Sequence, residues 1–88
     1  MTKYWVYILQ GEQDGWTYTG HTRDVQKRLQ EHNSGKMSAT RHHRPFKLVY
    51  TEEFSSRSEA VQKEKFLKTG QGREFRRKLL KQRKQTGS

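Results

Sequence analysis

The sequence contains no cysteine. That excludes disulfides, a thiol nucleophile and any zinc site built on thiolates. Apolar residues are scarce at 28% of 88 positions, and none of their runs approaches the roughly 18 residues of a membrane span. A chain this short makes one domain with a marginal core. Acidic residues are few, 9 against 19 lysines and arginines, which leaves a net charge of +10. Such an excess of positive charge favours a polyanionic partner, and nucleic acid is the expected one. A membrane surface is disfavoured, because no helix pairs a basic face with a broad apolar one. Met1-Thr2-Lys3 leads directly into a strand-like run with no apolar leader, so the expected location is cytoplasmic.

What the sequence has in quantity, early on, is aromatic rings. The stretch WVYILQGEQDGWTYTG, residues 5–20, holds Trp5, Tyr7, Trp16 and Tyr18. Tyr4 to Leu9 is rich in β-branched and aromatic residues and reads as a strand. The Gly11–Gly15 segment with its Asp-Gly reads as a turn, and Trp16 to Thr19 as the returning strand. A helix is expected next, capped by Thr22 and ended by Asn33-Ser34-Gly35. Its stripe of Val25, Arg28, Leu29 and His32 is half apolar and half cationic. Residues 35–45 read as a basic loop, and Phe46 to Phe54 as a third strand.

Ser56-Arg57-Ser58-Glu59 is a capping box opening a second helix. Along that helix Ala60, Glu64 and Leu67 share one stripe, which sets a carboxylate among core positions. The plain alternative is an exposed Glu64 paired with Lys68 one turn on. Gly70-Gln71-Gly72 reads as a break, and Arg73 to Arg83 as a last helix with its basic residues facing out. Residues 84–88 are expected to be a disordered basic tail behind a single domain over 1–83. The predicted class is α+β in the order β-β-α-β-α-α.

Two phenols on a hairpin, an arginine and a histidine on one helix, and a glutamate on another suit phosphodiester hydrolysis. That reaction needs a base for water, a cation for charge growing on the phosphoryl oxygens, and help for the leaving oxygen. One Mg²⁺ or Mn²⁺ on a single carboxylate serves the last need, and arginine supplies a fork for phosphate. A tyrosine serves as base only where positive neighbours lower its pKa from about 10.

Trp5-Val6-Tyr7 followed by Tyr18-Thr19-Gly20 resembles the paired motif of the GIY-YIG nuclease superfamily, most closely its small single-domain bacterial members. The resemblance continues through Lys27-Arg28-Leu29-Gln30-Glu31-His32-Asn33, Arg44-Pro45, Lys47-Leu48-Val49-Tyr50 and Ser58-Glu59-Ala60 with Glu64 and Lys68. It implies a three-stranded antiparallel sheet flanked by helices and a metal-dependent endonuclease activity on DNA, with RNA left open. It also implies catalytic roles for Tyr7, Tyr18, Arg28, His32 and Glu64, with a tyrosine at the Tyr18 position activating water and Glu64 holding the only metal. Three departures stand out: Trp5 replaces a glycine, Thr19 an isoleucine, and His21 a lysine found in some DNA-repair members. His21 is expected to be exposed. With Lys36, Arg41, Arg44, Arg73, Arg76 and Arg77 it is expected to contact the nucleic acid. The alternatives are a non-catalytic nucleic-acid-binding module and an accessory subunit of a repair complex. The expected state is a monomer or weak homodimer.

Overall fold

The computed structural model describes the backbone of residues 2–86 and the side chains of residues 2–81. Strand β1 (Tyr4–Gly11) is the centre of the sheet, with β2 (Thr17–Thr22) on one side and β3 (Phe46–Phe54) on the other, both antiparallel. The central position follows from composition, since Val6, Tyr7, Ile8 and Leu9 are all buried and can fill both faces at once. β2 is therefore an edge strand. A register shift at Ile8/Leu9 puts one extra residue into β3.

Helix α1 (Val25–Ser34) covers one face, where Tyr7, Leu9 and Phe46 pack with Tyr18, Leu29 and Leu48. Helices α2 (Arg57–Leu67) and α3 (Gly70–Thr86) cover the other, where Val6, Ile8, Val49, Ala60 and Leu67 pack with Phe54, Phe75 and Leu79. The order is the predicted β-β-α-β-α-α, with one 3₁₀ turn at Arg41–His43.

Four local expectations are corrected. β2 starts one residue later and continues to Thr22, because Val6 pairs with His21 and Trp5 with Thr22. That pairing occupies Thr22, so the cap of α1 is Asp24, whose side chain accepts from the Lys27 amide at 3.1 Å. Gly70-Gln71-Gly72 does not break the chain but opens α3. Gly72 is buried there, where a Cβ would strike the Leu67 backbone, so only glycine lets the two helices approach this closely. Arg76 does not face out. It is half-buried and donates to Thr17 Oγ1 on β2 at 3.4 Å. Helix α3 extends through 84–86, while residues 87–88 of the expected tail lie outside the described residues. The capping box is present, with Ser56 Oγ accepting from the Glu59 amide at 3.2 Å.

Candidate active site at the edge of the sheet

Alternation along β2 sends Tyr18, Gly20 and Thr22 toward α1 and Thr17, Thr19 and His21 toward α2 and α3. An edge strand lets both sets meet at its rim. On the α1 face, Tyr7 pairs in register with Gly20, and its phenol lies across the position where a side chain would stand. A Cβ at Gly20 would sit 2.7 Å from the Tyr7 hydroxyl, so the glycine is what lets the phenol reach toward the edge.

That phenol enters a buried chain of hydrogen bonds. Tyr7 Oη lies 3.2 Å from His32 Nε2, and His32 Nδ1 lies 2.9 Å from Thr40 Oγ1. Thr40 in turn donates to the Met37 carbonyl at 3.4 Å, which spends its only proton. With the Thr40 proton turned to that carbonyl, Thr40 accepts from His32 Nδ1–H and Nε2 accepts from the Tyr7 hydroxyl. His32 and Thr40 are both 0% exposed. Burial, helped by the nearby Arg28 charge and opposed by Glu31, lowers the His32 pKa from its ordinary 6.5 and keeps the ring neutral. Burial also pushes the Tyr7 phenol well above its ordinary value, with Tyr18 and Glu64 adding to the rise and Arg28 opposing it. Tyr7 is thus a protonated donor at neutral pH and is unsuited to be a base. Tyr18 packs beside these rings, with centroids 6.2 Å from Tyr7 and 4.8 Å from His32, and is only half-buried.

On the other face, Glu64 projects from α2 with 18% of its side chain exposed. Its Oε1 lies 2.5 Å from His21 Nδ1, and its Oε2 accepts from Lys68 Nζ at 2.7 Å. Burial raises the carboxyl pKa, but the hydrogen bonds from Lys68 and His21 outweigh burial and hold it below the ordinary carboxylate value. Glu64 is therefore ionised at neutral pH. The expected exposed His21 is not observed, because the extension of β2 carries it under α2 onto Glu64. The Lys68 pair of the plain reading is real as well. Arg28 does not pair with Glu64; it bonds Glu31 at 3.3 Å. An open groove of about 380 Å³ brings Arg28 and His21 onto one surface.

A divalent ion has one candidate owner here. Among the described residues no group of three His, Asp or Glu side chains forms a metal cage. Glu64 alone suits an ion that keeps most of its water, since each carboxylate oxygen retains a lone pair beyond its present hydrogen bond. The residues fit Mg²⁺ or Mn²⁺ in that mode.

Lys36, Arg41, Arg44 and Arg73 are exposed but do not line the groove. Arg77 pairs with Glu74, its neighbour one turn back. Sequence reasoning missed Thr40, since a threonine in an aperiodic loop carries no signal of burial. Trp16 is 38% exposed and stacks on His43 at 3.9 Å. His43 is itself fixed by Asp14 at 2.6 Å.

Comparison with known proteins agrees with this architecture. Residues 3–78 match the family model of the GIY-YIG catalytic domain. The chain belongs to that nuclease-like family. Its relatives within the family are small bacterial UPF0213 proteins. One from Staphylococcus haemolyticus is 42% identical over 84 residues, covering 94% of this chain and all of its own. Another, from Syntrophus aciditrophicus, is 47% identical over 70 residues, covering 77% of this chain and 79% of its own. The solution NMR structure of a UPF0213 protein from Bacillus halodurans matches with a TM-score of 0.53 at 40% identity, covering 88% of this chain and 84% of that one. No helix among the described residues is long and apolar enough to cross a membrane.

Proposed function

We propose that this domain is a metal-dependent endonuclease that hydrolyses DNA phosphodiesters. The observation that carries the reading is the division of labour at the β2 edge. One phenol, Tyr7, is locked as a donor, a second, Tyr18, stands free beside it, and an ionised Glu64 lies across the rim. Tyr18, having first released its own phenolic proton to solvent, takes a proton from the attacking water as phenolate, and the water oxygen forms the new bond to phosphorus as the bond to the leaving oxygen breaks. Arg28 stabilises the negative charge growing on the phosphoryl oxygens. Tyr7, held by His32 and Thr40, directs its surroundings as a fixed hydrogen-bond donor rather than as a base. Glu64 would hold Mg²⁺ or Mn²⁺, which would supply positive charge for the leaving oxygen. His21 and Lys68 keep that carboxylate ionised and aimed.

The partner is DNA, with RNA as a second polynucleotide to be tried, and the exposed basic residues Lys36, Arg41, Arg44 and Arg73 add non-specific attraction to the backbone. The test is incubation of the pure protein with labelled single-stranded DNA, duplex DNA and RNA in Mg²⁺, Mn²⁺ or EDTA. Cleavage that requires the ion supports the proposal. Tight binding without cleavage in any ion would instead make the domain a nucleic-acid-binding module.

A further inference from the structure

The groove beside Arg28 extends away from the site, between the first turns of α1 and α2. Besides Arg28 and His21 it is lined by Arg23, Lys27 and Arg57, none of which was among the residues expected to touch nucleic acid. All three are exposed, and among the described residues none of them makes an ion pair. The acids in the groove offset them only in part, and neither is ion-paired to any of the three. Glu31 is occupied by Arg28, and Asp24 is turned to the Lys27 amide as the cap of α1. Four cations, Arg23, Lys27, Arg28 and Arg57, thus face two carboxylates, Asp24 and Glu31, and the concave surface keeps a net positive charge. Its volume, about 380 Å³, lies in the range of small-ligand pockets, enough for one phosphate and its sugar.

We propose that this groove is a second phosphate subsite, which holds the phosphodiester neighbouring the one attacked and so fixes the path of the strand past Arg28. This rests on the nucleic-acid reading above and adds a direction to it. The strand leaves the site over the starts of α1 and α2, not over the loop of Arg41 and Arg44. The ligand is a phosphate within a polynucleotide.

The test compares two double variants of equal charge change, Lys27→Gln/Arg57→Gln in the groove and Lys47→Gln/Lys65→Gln, exposed positions outside it. Binding of a labelled single-stranded oligonucleotide is followed by fluorescence anisotropy in EDTA across a salt series, with thermal melts as the control for folding. The groove variant is expected to lose about tenfold or more in affinity. Its slope of log affinity against log salt should fall by about 0.7 for each phosphate that the protein no longer neutralises on a single strand. The control variant should weaken by less than about threefold, with its slope unchanged. Equal weakening in the two variants would reduce the effect to overall charge and overturn the proposal. So would wild-type affinity in the groove variant while the wild type still cleaves. Competition by thymidine 5′-monophosphate as strong as by the oligonucleotide would give the groove to a free nucleotide and also overturn it. A wild type that binds no polynucleotide overturns the nuclease reading itself, and this subsite with it.

Discussion

Thr40→Val removes one hydroxyl from the interior and leaves the shape of the side chain nearly unchanged. Thr40 and His32 are both fully buried, so water does not replace the missing hydroxyl. His32 Nδ1–H then has no acceptor, and a buried donor left unpaired costs about 1–3 kcal/mol. If the ring exchanges tautomers, the orphan moves to the Tyr7 hydroxyl, which has to find a new acceptor. Either way the cost stays inside the chain. For a domain of this size each kcal/mol shifts the melting temperature by about 4–8 °C, so a fall of about 5–20 °C is expected. Circular dichroism melts measure it, and ¹⁵N chemical shifts of the His32 ring report which nitrogen carries the proton. A double-mutant cycle with His32→Phe should give a coupling of about 0.5–3 kcal/mol, as for residues in one network. A melting point within about 2 °C of wild type, or strict additivity in the cycle, would refute the Tyr7–His32–Thr40 chain.

The same histidine makes stability depend on pH. Its folded pKa is depressed below the ordinary 6.5, so below that pH the unfolded chain binds a proton that the folded one refuses. Stability should therefore fall as pH drops from about 6.5 toward the depressed folded pKa, and a His32→Phe variant should show a flatter melting profile over that window. Gly20→Ala brings a Cβ to 2.7 Å from the Tyr7 hydroxyl, and overpacking of this kind costs about 1–3 kcal/mol; an unchanged melting point would contradict the packing of that phenol. Arg28→Ala should lower cleavage by about two or more orders of magnitude. Among the described residues its only ion pair is the half-exposed one with Glu31, worth about 0–1 kcal/mol at most, so its melt should hardly move. Full activity in this variant would remove Arg28 from the site.

Strands β1 and β3 were legible because each is a run rich in β-branched and aromatic residues. Tyr4 to Leu9 and Phe46 to Phe54 bury side chains in patterns that a sheet alone explains, and Ser56 announces α2 through a local cap. The central hydrogen-bond chain was half legible: a histidine and an arginine on a helical stripe point inward, but nothing marks Thr40, whose burial depends on how a loop folds over α1. His21 was misread for a similar reason. Its exposure depends on β2 running to Thr22 and on α2 lying beneath that end of the strand, and both are tertiary facts. The two glycines around Gln71 pointed the wrong way, because local propensity reads glycine as a break, whereas Gly72 serves the close packing of α3 on Leu67. The groove of Arg23, Lys27 and Arg57 unites the starts of two helices far apart in sequence. It is invisible until those helices stand on opposite sides of one strand edge.

The most direct measurement is the cleavage rate of Glu64→Gln beside wild type, on one labelled DNA in Mg²⁺ and in EDTA, with melts of both proteins. The amide keeps an oxygen to accept from Lys68 or His21, so the fold and the DNA affinity should survive. The account predicts that wild type cleaves only with the ion and that Glu64→Gln loses about two or more orders of magnitude while remaining folded. Equal cleavage by the two proteins, or wild-type cleavage undiminished in EDTA, would contradict it.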